Sequence, residues 1–312
     1  MRKLVALIVL LFCAHLAIVD QALAQGAPAD ACKARNASNE ERIAGCTAMI
    51  EAKKETGRSL AIAYCNRGFA LTEQRELDRA MADLDEAIKI DPSYACSFSN
   101  RGRVFAFKGD LDRAMADYNQ AIKLDPKFAV AYNNRGDALM KRGELDKAIA
   151  DFTTAIKNDP QNVHAYGNRG GAYQRTRDNQ RALADYSKAI QLQPNDLLGY
   201  INRGNVYRTM GNLDRAAADY GEAIKVAPTD ARGWRNRGMI RLMKYDNAGG
   251  IADYDKALEY DPKDAYSWSN RGIARRDTGD KAGAIADFKK ALELNPDLPS
   301  TRQTLEELGA KP

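Results

Sequence analysis

The chain has 312 residues, of which 47 are Lys or Arg, 42 are Asp or Glu and only 2 are His. The small positive excess forms no clustered basic stripe of the kind that nucleic-acid-binding proteins carry, so no nucleic-acid partner is expected. No group of His and Cys has metal-ligand spacing, and we expect neither a metal nor a cofactor.

The N-terminal segment predicts a secretory signal over residues 1–24. Two cations, Arg2 and Lys3, precede an apolar run over residues 4–19, and a small-x-small cleavage site ends at Ala24. An uncleaved membrane anchor is the alternative, but the run is shorter than the roughly 20 residues that a spanning helix needs. We therefore expect a periplasmic or secreted bacterial protein that does not span the membrane after cleavage.

Four cysteines follow that cleavage site: Cys32, Cys46, Cys65 and Cys96. An even number of cysteines in an exported chain favours disulfide bonds. Cys32 and Cys46 are the obvious local pair. Cys65 and Cys96 either form a second pair or remain free thiols on helix faces.

Residues 25–60 are predicted to form a lead-in and an N-terminal capping helix. Ser38, followed three residues later by Glu41, makes a capping box, and apolar residues then recur at helical spacing. One amphipathic helix is expected from about Asn39 to Lys54. It would cover the apolar face that the first repeat otherwise exposes.

The rest of the chain is organised by the tripeptide Asn-Arg-Gly, which occurs seven times at intervals of 34 residues. The asparagines are Asn66, Asn100, Asn134, Asn168, Asn202, Asn236 and Asn270. The predicted repeats are 61–94, 95–128, 129–162, 163–196, 197–230, 231–264 and 265–298, followed by a C-terminal capping helix in 299–312. A repeat this short cannot bury its own apolar face, so the repeats must stack on one another.

Each repeat is predicted to hold two antiparallel helices separated near its position 15, where four repeats have Gly. Such a pair brings together positions that sum to about 30. The Gly at position 8 then faces the small residue at position 20, and Arg at position 7 faces Asp at position 23. The pairs are Arg67 with Asp83, Arg101 with Asp117, Arg135 with Asp151, Arg169 with Asp185, Arg203 with Asp219, Arg237 with Asp253 and Arg271 with Asp287. An inward charge is costly unless paired, so we interpret these pairs as structural rather than as a strip that binds anions.

The repeat columns resemble those of the tetratricopeptide repeat, with an aromatic residue at position 4, Gly at 8, Ala at 20, an aromatic at 24, Ala at 27 and Pro at 32. The departures are Leu84 at position 24, Arg241 and Arg275 at position 11 and Gly250 at position 20. The resemblance covers residues 61–298. It implies an all-α tetratricopeptide-repeat solenoid, a right-handed superhelix of helix-turn-helix units.

The resemblance also implies a concave groove lined by the first helix of each repeat, at positions 2, 5, 9, 12 and 13. Basic candidates there are Arg103, Lys141, Arg175, Arg208, Arg232 and Arg235, which predict a net basic groove. The seven asparagines at position 6 are further candidates, because a carboxamide can both donate to and accept from a peptide backbone. A purely structural role for these asparagines remains the alternative.

These features predict a non-catalytic scaffold that binds an extended peptide or protein segment in the groove. The alternative is a structural or self-associating envelope scaffold that uses its convex face. His164 is the one histidine after the predicted signal, and no nucleophile arrangement surrounds it in the sequence. We therefore expect neither an enzyme nor a small-molecule substrate.

Overall fold

A computed structural model describes residues 29–34 and 36–311, so the predicted signal segment lies outside the described residues. Over this part of the chain the structure contains a 3-10 turn at Ala29–Cys32, sixteen α-helices and no strand. In chain order the α-helices are α1 (Asn39–Glu51), α2 (Gly57–Glu73), α3 (Leu77–Ile90), α4 (Ala95–Phe107), α5 (Leu111–Leu124), α6 (Ala129–Lys141), α7 (Leu145–Asn158), α8 (Val163–Arg175), α9 (Asn179–Leu192), α10 (Leu197–Thr209), α11 (Leu213–Val226), α12 (Ala231–Met243), α13 (Asn247–Tyr260), α14 (Ala265–Asp277), α15 (Lys281–Leu294) and α16 (Pro299–Glu307). Among them, none combines the length and apolar character needed to cross a bilayer. The all-α prediction is confirmed.

The chain divides into two compact groups of helices, an N-terminal group that ends at Pro160 and a C-terminal group that begins at Gln161. Within each group, the two helices of every repeat pack against each other and the second helix packs against the first helix of the next repeat. First helices of adjacent repeats also touch, as α2 touches α4 and α10 touches α12. Each group therefore stacks its repeats side by side.

The turn between the two helices of a repeat depends on a left-handed residue at position 15. Four repeats place Gly there, and the other three place Arg75, Arg177 and Tyr245, with φ of 64°, 62° and 61°. A side chain in this region costs energy that Gly avoids. The helix ends in the same way in both cases, because the next amide donates back into the last turn, as Glu76 N does to Leu71 O at 3.0 Å.

The glycine at position 8 makes room for the side chain at position 24. A Cβ added to Gly102 would lie 2.7 Å from the ring of Tyr118, and one added to Gly136 would lie 2.6 Å from Phe152. The carbonyl of the position-20 residue is nearby, at 3.1 Å for Gly102, so the predicted neighbour is present but the ring is closer. Gly250, the departure at position 20, has a similar cause, since a Cβ there would lie 2.5 Å from Leu242.

The two ends of the described chain are closed differently. At the N-terminal end, Ser38 and Glu41 form the capping box of α1, and Met49 of α1 packs against Ala63 of α2. The helix ends at Glu51 rather than near Lys54, because Lys53 takes a left-handed φ of 52°. At the other end, α16 contributes Leu305 to an apolar cluster that contains Phe288 of α15.

Cys32 and Cys46 form a disulfide that joins the 3-10 turn to α1, as the sequence predicts. Both half-cystines are fully buried. Cys65 and Cys96, the second pair that the sequence permits, are free thiols in the structure. The covalent bond therefore tethers only the lead-in to the capping helix.

Candidate functional site

The Arg and Asp of each repeat form a two-point ion pair, which confirms the structural interpretation of these columns. In all seven pairs Arg Nε donates to Asp Oδ2 and Arg Nη2 donates to Asp Oδ1, at 2.7–2.9 Å. The carboxylates are buried, so each inward negative charge is compensated by an arginine of its own repeat. The arginines are thus committed to their own repeats and do not form a strip that binds anions.

The remaining Nη1 of several of these arginines reaches a neighbouring structural unit, a contact that the sequence analysis missed. Arg101 donates to Asp85 and Arg135 to Asn119, both at 2.7 Å, and both acceptors stand at position 25 of the preceding repeat. Arg67, which has no repeat before it, donates to Thr47 of α1 at 3.0 Å. The signal in the sequence is the short polar residue that recurs at position 25, with Gly221 and Lys289 as exceptions.

Arg241 and Arg275, which depart from the apolar pattern at position 11, add a second cation to the pair. Arg241 Nη1 lies 3.0 Å from Oδ2 of Asp253, and Arg275 Nη1 lies 2.9 Å from Oδ2 of Asp287. Both carboxylates are only 1% exposed. The departures therefore reinforce the last two repeats electrostatically where the apolar contact is missing.

The position-6 asparagines of the N-terminal group each donate to an element two places earlier in the chain. Asn66 Nδ2 donates to the main-chain carbonyl of Cys32 at 2.9 Å, and Asn134 Nδ2 donates to Ser99 Oγ at 3.3 Å. Asn100 Nδ2 lies 3.3 Å from the sulfur of Cys65. For Asn100 and Asn134 the acceptor is the position-5 side chain on the first helix of the preceding repeat. These two amides therefore bridge adjacent first helices.

The asparagines of the C-terminal group have different surroundings. Asn168 and Asn202 line an open cleft between α8 and α10, while Asn270 lies beside the hydroxyl of Tyr254. Asn236 is half-buried on α12. The seven asparagines thus share one repeat position but differ in their neighbours.

Four of the six predicted basic residues of the groove are paired with carboxylates, so their charges are compensated locally. Arg103 pairs with Glu73, Lys141 with Asp137 at 2.7 Å, Arg232 with Asp230 at 2.8 Å and Arg235 with Asp264 at 3.3 Å. Arg103 also stacks between the rings of Phe69 and Phe107, at 5.6 and 5.2 Å from their centroids. Arg175 is exposed, and Arg208 lies beside Tyr220. Glu73 and Asp137 stand at groove positions themselves, whereas Asp230 and Asp264 are the N-cap residues of α12 and α14, outside the groove positions.

Large apolar side chains are exposed at position 2 of three first helices. Val130, Leu198 and Tyr266 are 44%, 48% and 60% exposed. His164 occupies the same position on α8 and is also exposed. Position 2 is one of the groove positions that the repeat resemblance implies, so these apolar side chains are accessible there.

The free thiols of Cys65 and Cys96 lie together between α2 and α4. The hydrogen bond with Cys96, together with burial, raises the pKa of the Cys65 thiol, whereas the same hydrogen bond lowers the pKa of Cys96. Asn100 donates to both sulfurs, at 3.3 and 3.6 Å. Cys65 therefore stays protonated and acts as a small apolar residue with a weak hydrogen bond.

The stacked helix-turn-helix repeats and their surface define a repeat protein of the α-helical class. Family models of the tetratricopeptide repeat match residues 61–94, 102–141, 134–196, 198–230 and 265–298. The chain belongs to the tetratricopeptide repeat family. Members of this family generally act as non-catalytic scaffolds for protein interactions, and this chain has the architecture of such a scaffold.

Solved structures share the fold at low sequence identity. The crystal structure of the APC/C hetero-tetramer Cut9-Hcn1 matches with a TM-score of 0.66 and 16% identity, over 87% of this chain and 52% of that one, so this chain spans about half of that relative. A tetratricopeptide repeat protein from Parabacteroides merdae matches with a TM-score of 0.56 and 21% identity, over 80% of this chain and 98% of that one. YrrB, described as having an unusual peptide-binding site, matches with a TM-score of 0.51 and 20% identity, over 61% of this chain and 97% of that one. No curated protein sequence matches the chain.

Proposed function

We propose that this protein is a scaffold that binds an extended peptide, or an unfolded segment of a partner protein, along the surface of its first helices. The observation that carries the proposal is the hydrogen bond from Asn66 to the carbonyl of Cys32. The first asparagine of the series thus holds a main-chain carbonyl of the protein's own lead-in. A bound segment would offer the same group to asparagines further along.

The partner is expected to be recognised by its backbone and by apolar side chains rather than by charge. Four of the six predicted basic residues already face carboxylates, so an acidic segment gains little from them. The exposed apolar residues at position 2 supply contacts between the asparagines. Backbone recognition combined with a few apolar contacts is how extended segments are bound in general.

A displayed library of random 12-residue peptides, selected against the full chain, tests this proposal. Replacing Asn168, Asn202 and Asn236 together with Ala should weaken binding of the selected peptides by roughly a hundredfold, at about 1 kcal/mol for each of three lost hydrogen bonds. Replacing Asn195, an exposed asparagine in the loop between α9 and α10, is the matched control and should leave binding unchanged.

Two results would overturn this function. Selected peptides that bind the triple variant as tightly as the unaltered chain would show that they bind elsewhere. A failure to select any peptide, combined with self-association in light scattering of the chain alone, would favour the structural scaffold that acts through its convex face.

We infer further that the protein is exported to the periplasm or secreted. The segment over residues 1–24 carries the features of a secretory signal, and the Cys32–Cys46 disulfide supports an oxidising compartment. Mass spectrometry of the protein from its native source should find Gln25 at the N-terminus and one intact disulfide. A chain that begins at Met1 with four free thiols after residue 24 would contradict export.

A further inference from the structure

The C-terminal group contains a cleft between α8 and α10 that no feature of the repeat pattern accounts for. It has a volume of about 190 Å³ and is lined by His164, Gly167, Asn168, Tyr186, Leu198 and Asn202, among others. We call it the Gly167 cleft. Drug-sized ligands occupy pockets of roughly 300 Å³ or more, so this cleft has the size for a single large side chain.

The cleft exists because the residue at position 5 of this repeat is a glycine. A Cβ built on Gly167 meets nothing within 4 Å. At the same position of other repeats, Ser99 is fully buried and Ile201 is only 7% exposed, so their side chains fill the space between adjacent first helices. The Gly167 cleft is therefore the position-5 space with its usual side chain missing.

The same glycine leaves the asparagine of the next repeat, Asn202, without the side-chain acceptor found at position 5 for Asn100 and Asn134. Asn100 and Asn134 donate to the position-5 side chains of Cys65 and Ser99. The counterpart for Asn202 is Gly167, which has no side chain that could accept. The carboxamide of Asn202 consequently stands at the rim of the cleft with no position-5 acceptor.

The chemistry of the lining favours a neutral, apolar occupant. Tyr186 is buried below the cleft and its hydroxyl donates to Gln174 at 3.2 Å, while Leu198 forms part of the wall. The one carboxylate in the lining, Asp196, caps α10 by accepting from the amide of Leu198 at 3.1 Å. No Lys or Arg lines the cleft to attract an acidic side chain.

We propose that the Gly167 cleft is a specificity pocket that takes one bulky apolar side chain, such as Leu, Met or Phe, of the bound segment. The backbone of that segment would cross the rim at Asn202. This inference rests on the proposed function, since it names the side chain that the scaffold selects.

The peptides selected against the full chain provide the test, with Gly167→Leu as the variant that fills the cleft. The selected sequences should share one bulky apolar residue. Filling the cleft should weaken their binding about tenfold to a hundredfold, the range expected for losing the burial of one such side chain. Replacing the shared residue by Ala should weaken binding to the unaltered chain equally, and should have no further effect on Gly167→Leu.

Gly171→Leu is the matched control. Gly171 lies one turn further along α8, outside the lining, and a Cβ there would make an ordinary contact of 3.6 Å with the Tyr186 hydroxyl. Both substitutions replace a helical glycine, so their effects on helix stability should be similar. Gly167→Ala, which adds a single methyl group to open space, should fold and weaken binding by a smaller factor than Leu does.

The outcomes separate the cleft from the wider function. Peptides that lose affinity for the triple asparagine variant but bind Gly167→Leu normally would overturn the cleft proposal and leave the scaffold function intact. A shared charged residue in the selected sequences would also overturn it. Peptides insensitive to the asparagines would remove the proposed function and the pocket together.

Discussion

The asparagines at repeat position 6 differ between the N-terminal and C-terminal groups of helices. Asn100 and Asn134 donate to the cysteine and serine side chains of the preceding repeat, whereas Asn202 faces Gly167 and stands beside an open cleft. The difference comes from the neighbour at position 5 and not from the asparagine. An invariant residue in a repeat array therefore takes its role from the variable residue that it meets.

The groups also differ in how they are closed and charged. The N-terminal group ends in a capping helix tied by a disulfide to the lead-in, while the C-terminal group ends in a helix held by apolar contacts. Its last two Arg–Asp pairs are reinforced by Arg241 and Arg275. Four predictions test how far these differences reach.

The largest effect is expected at the Arg–Asp pairs. Arg135→Ala leaves Asp151 buried and unpaired, which should cost about 3 to 5 kcal/mol. Arg237→Ala should cost less, because Arg241 remains 3.0 Å from Asp253. Hydrogen exchange of amides in α6 and α12 measures each loss locally.

The control for this comparison is Arg237→Ala combined with Arg241→Leu. Removing both cations should bring the loss in the sixth repeat up to that of Arg135→Ala. Equal losses for Arg135→Ala and Arg237→Ala alone would show that the second arginine contributes no compensation.

The next effect concerns the disulfide, which is confined to the N-terminal group. Replacing Cys32 and Cys46 with Ser should remove about 3 kcal/mol of stability, since the bond closes a loop with a sequence separation of 14. Exchange should rise in α1 and α2 and stay unchanged in α16. Cys96→Ser, which removes an unbonded thiol, should have a smaller effect on α1. An equal effect would show that the disulfide does not determine the stability of the capping helix.

The third prediction concerns the pH dependence of stability, which follows from the tyrosines at repeat position 24. The N-terminal group has one such tyrosine and the C-terminal group has three. They are Tyr118, Tyr186, Tyr220 and Tyr254. Burial raises the pKa of each phenol, that of Tyr186 to about 12. The unfolded chain therefore loses these protons first, and stability should fall as the pH rises from about 10 through the folded-state pKa.

Alkaline unfolding should accordingly begin in the C-terminal group, with a loss on the order of 2 kcal/mol from Tyr186, whose pKa folding raises from 10 to about 12. The ultraviolet absorbance of the tyrosine phenolates, recorded together with helix content as the pH is raised, would follow this unfolding. Tyr186→Phe should move the transition to higher pH, and the same transition in a variant that lacks all three C-terminal phenols would contradict this explanation.

The smallest effect is expected at the left-handed turns. Tyr245→Gly should stabilise the protein by about 0.5 to 1 kcal/mol, because Gly adopts this φ without strain and Tyr245, 90% exposed, buries little. Arg75→Gly in the N-terminal group should gain less, since Arg75 stacks on Phe107 at 4.0 Å. Thermal melting compares the two, and a loss of stability in Tyr245→Gly would mean that the tyrosine makes a contact worth more than the strain.

Much of the fold was determined by the sequence alone, because contacts inside a repeat connect positions at fixed separation. The 34-residue period, the two helices of each repeat and the Arg–Asp pairs, such as Arg135 with Asp151, all follow from that spacing. The short separation of Cys32 and Cys46 likewise made their bond predictable. The contacts inside a repeat recur seven times, so the same pair of positions can be recognised in every repeat.

Only the tertiary structure decided what happens between repeats. There the outcome depends on variable positions, so each junction differs: Glu73 reaches Arg103 from the preceding repeat, Asp264 at the N-cap of α14 reaches Arg235 of α12, and Gly167 opens a cleft that Ile201 closes one repeat later. A side chain's partner on an adjacent helix depends on the packing distance and on both residues at once. The sequence period therefore shows which residues of a first helix share a face. It does not show which residue of the adjacent helix packs on that face.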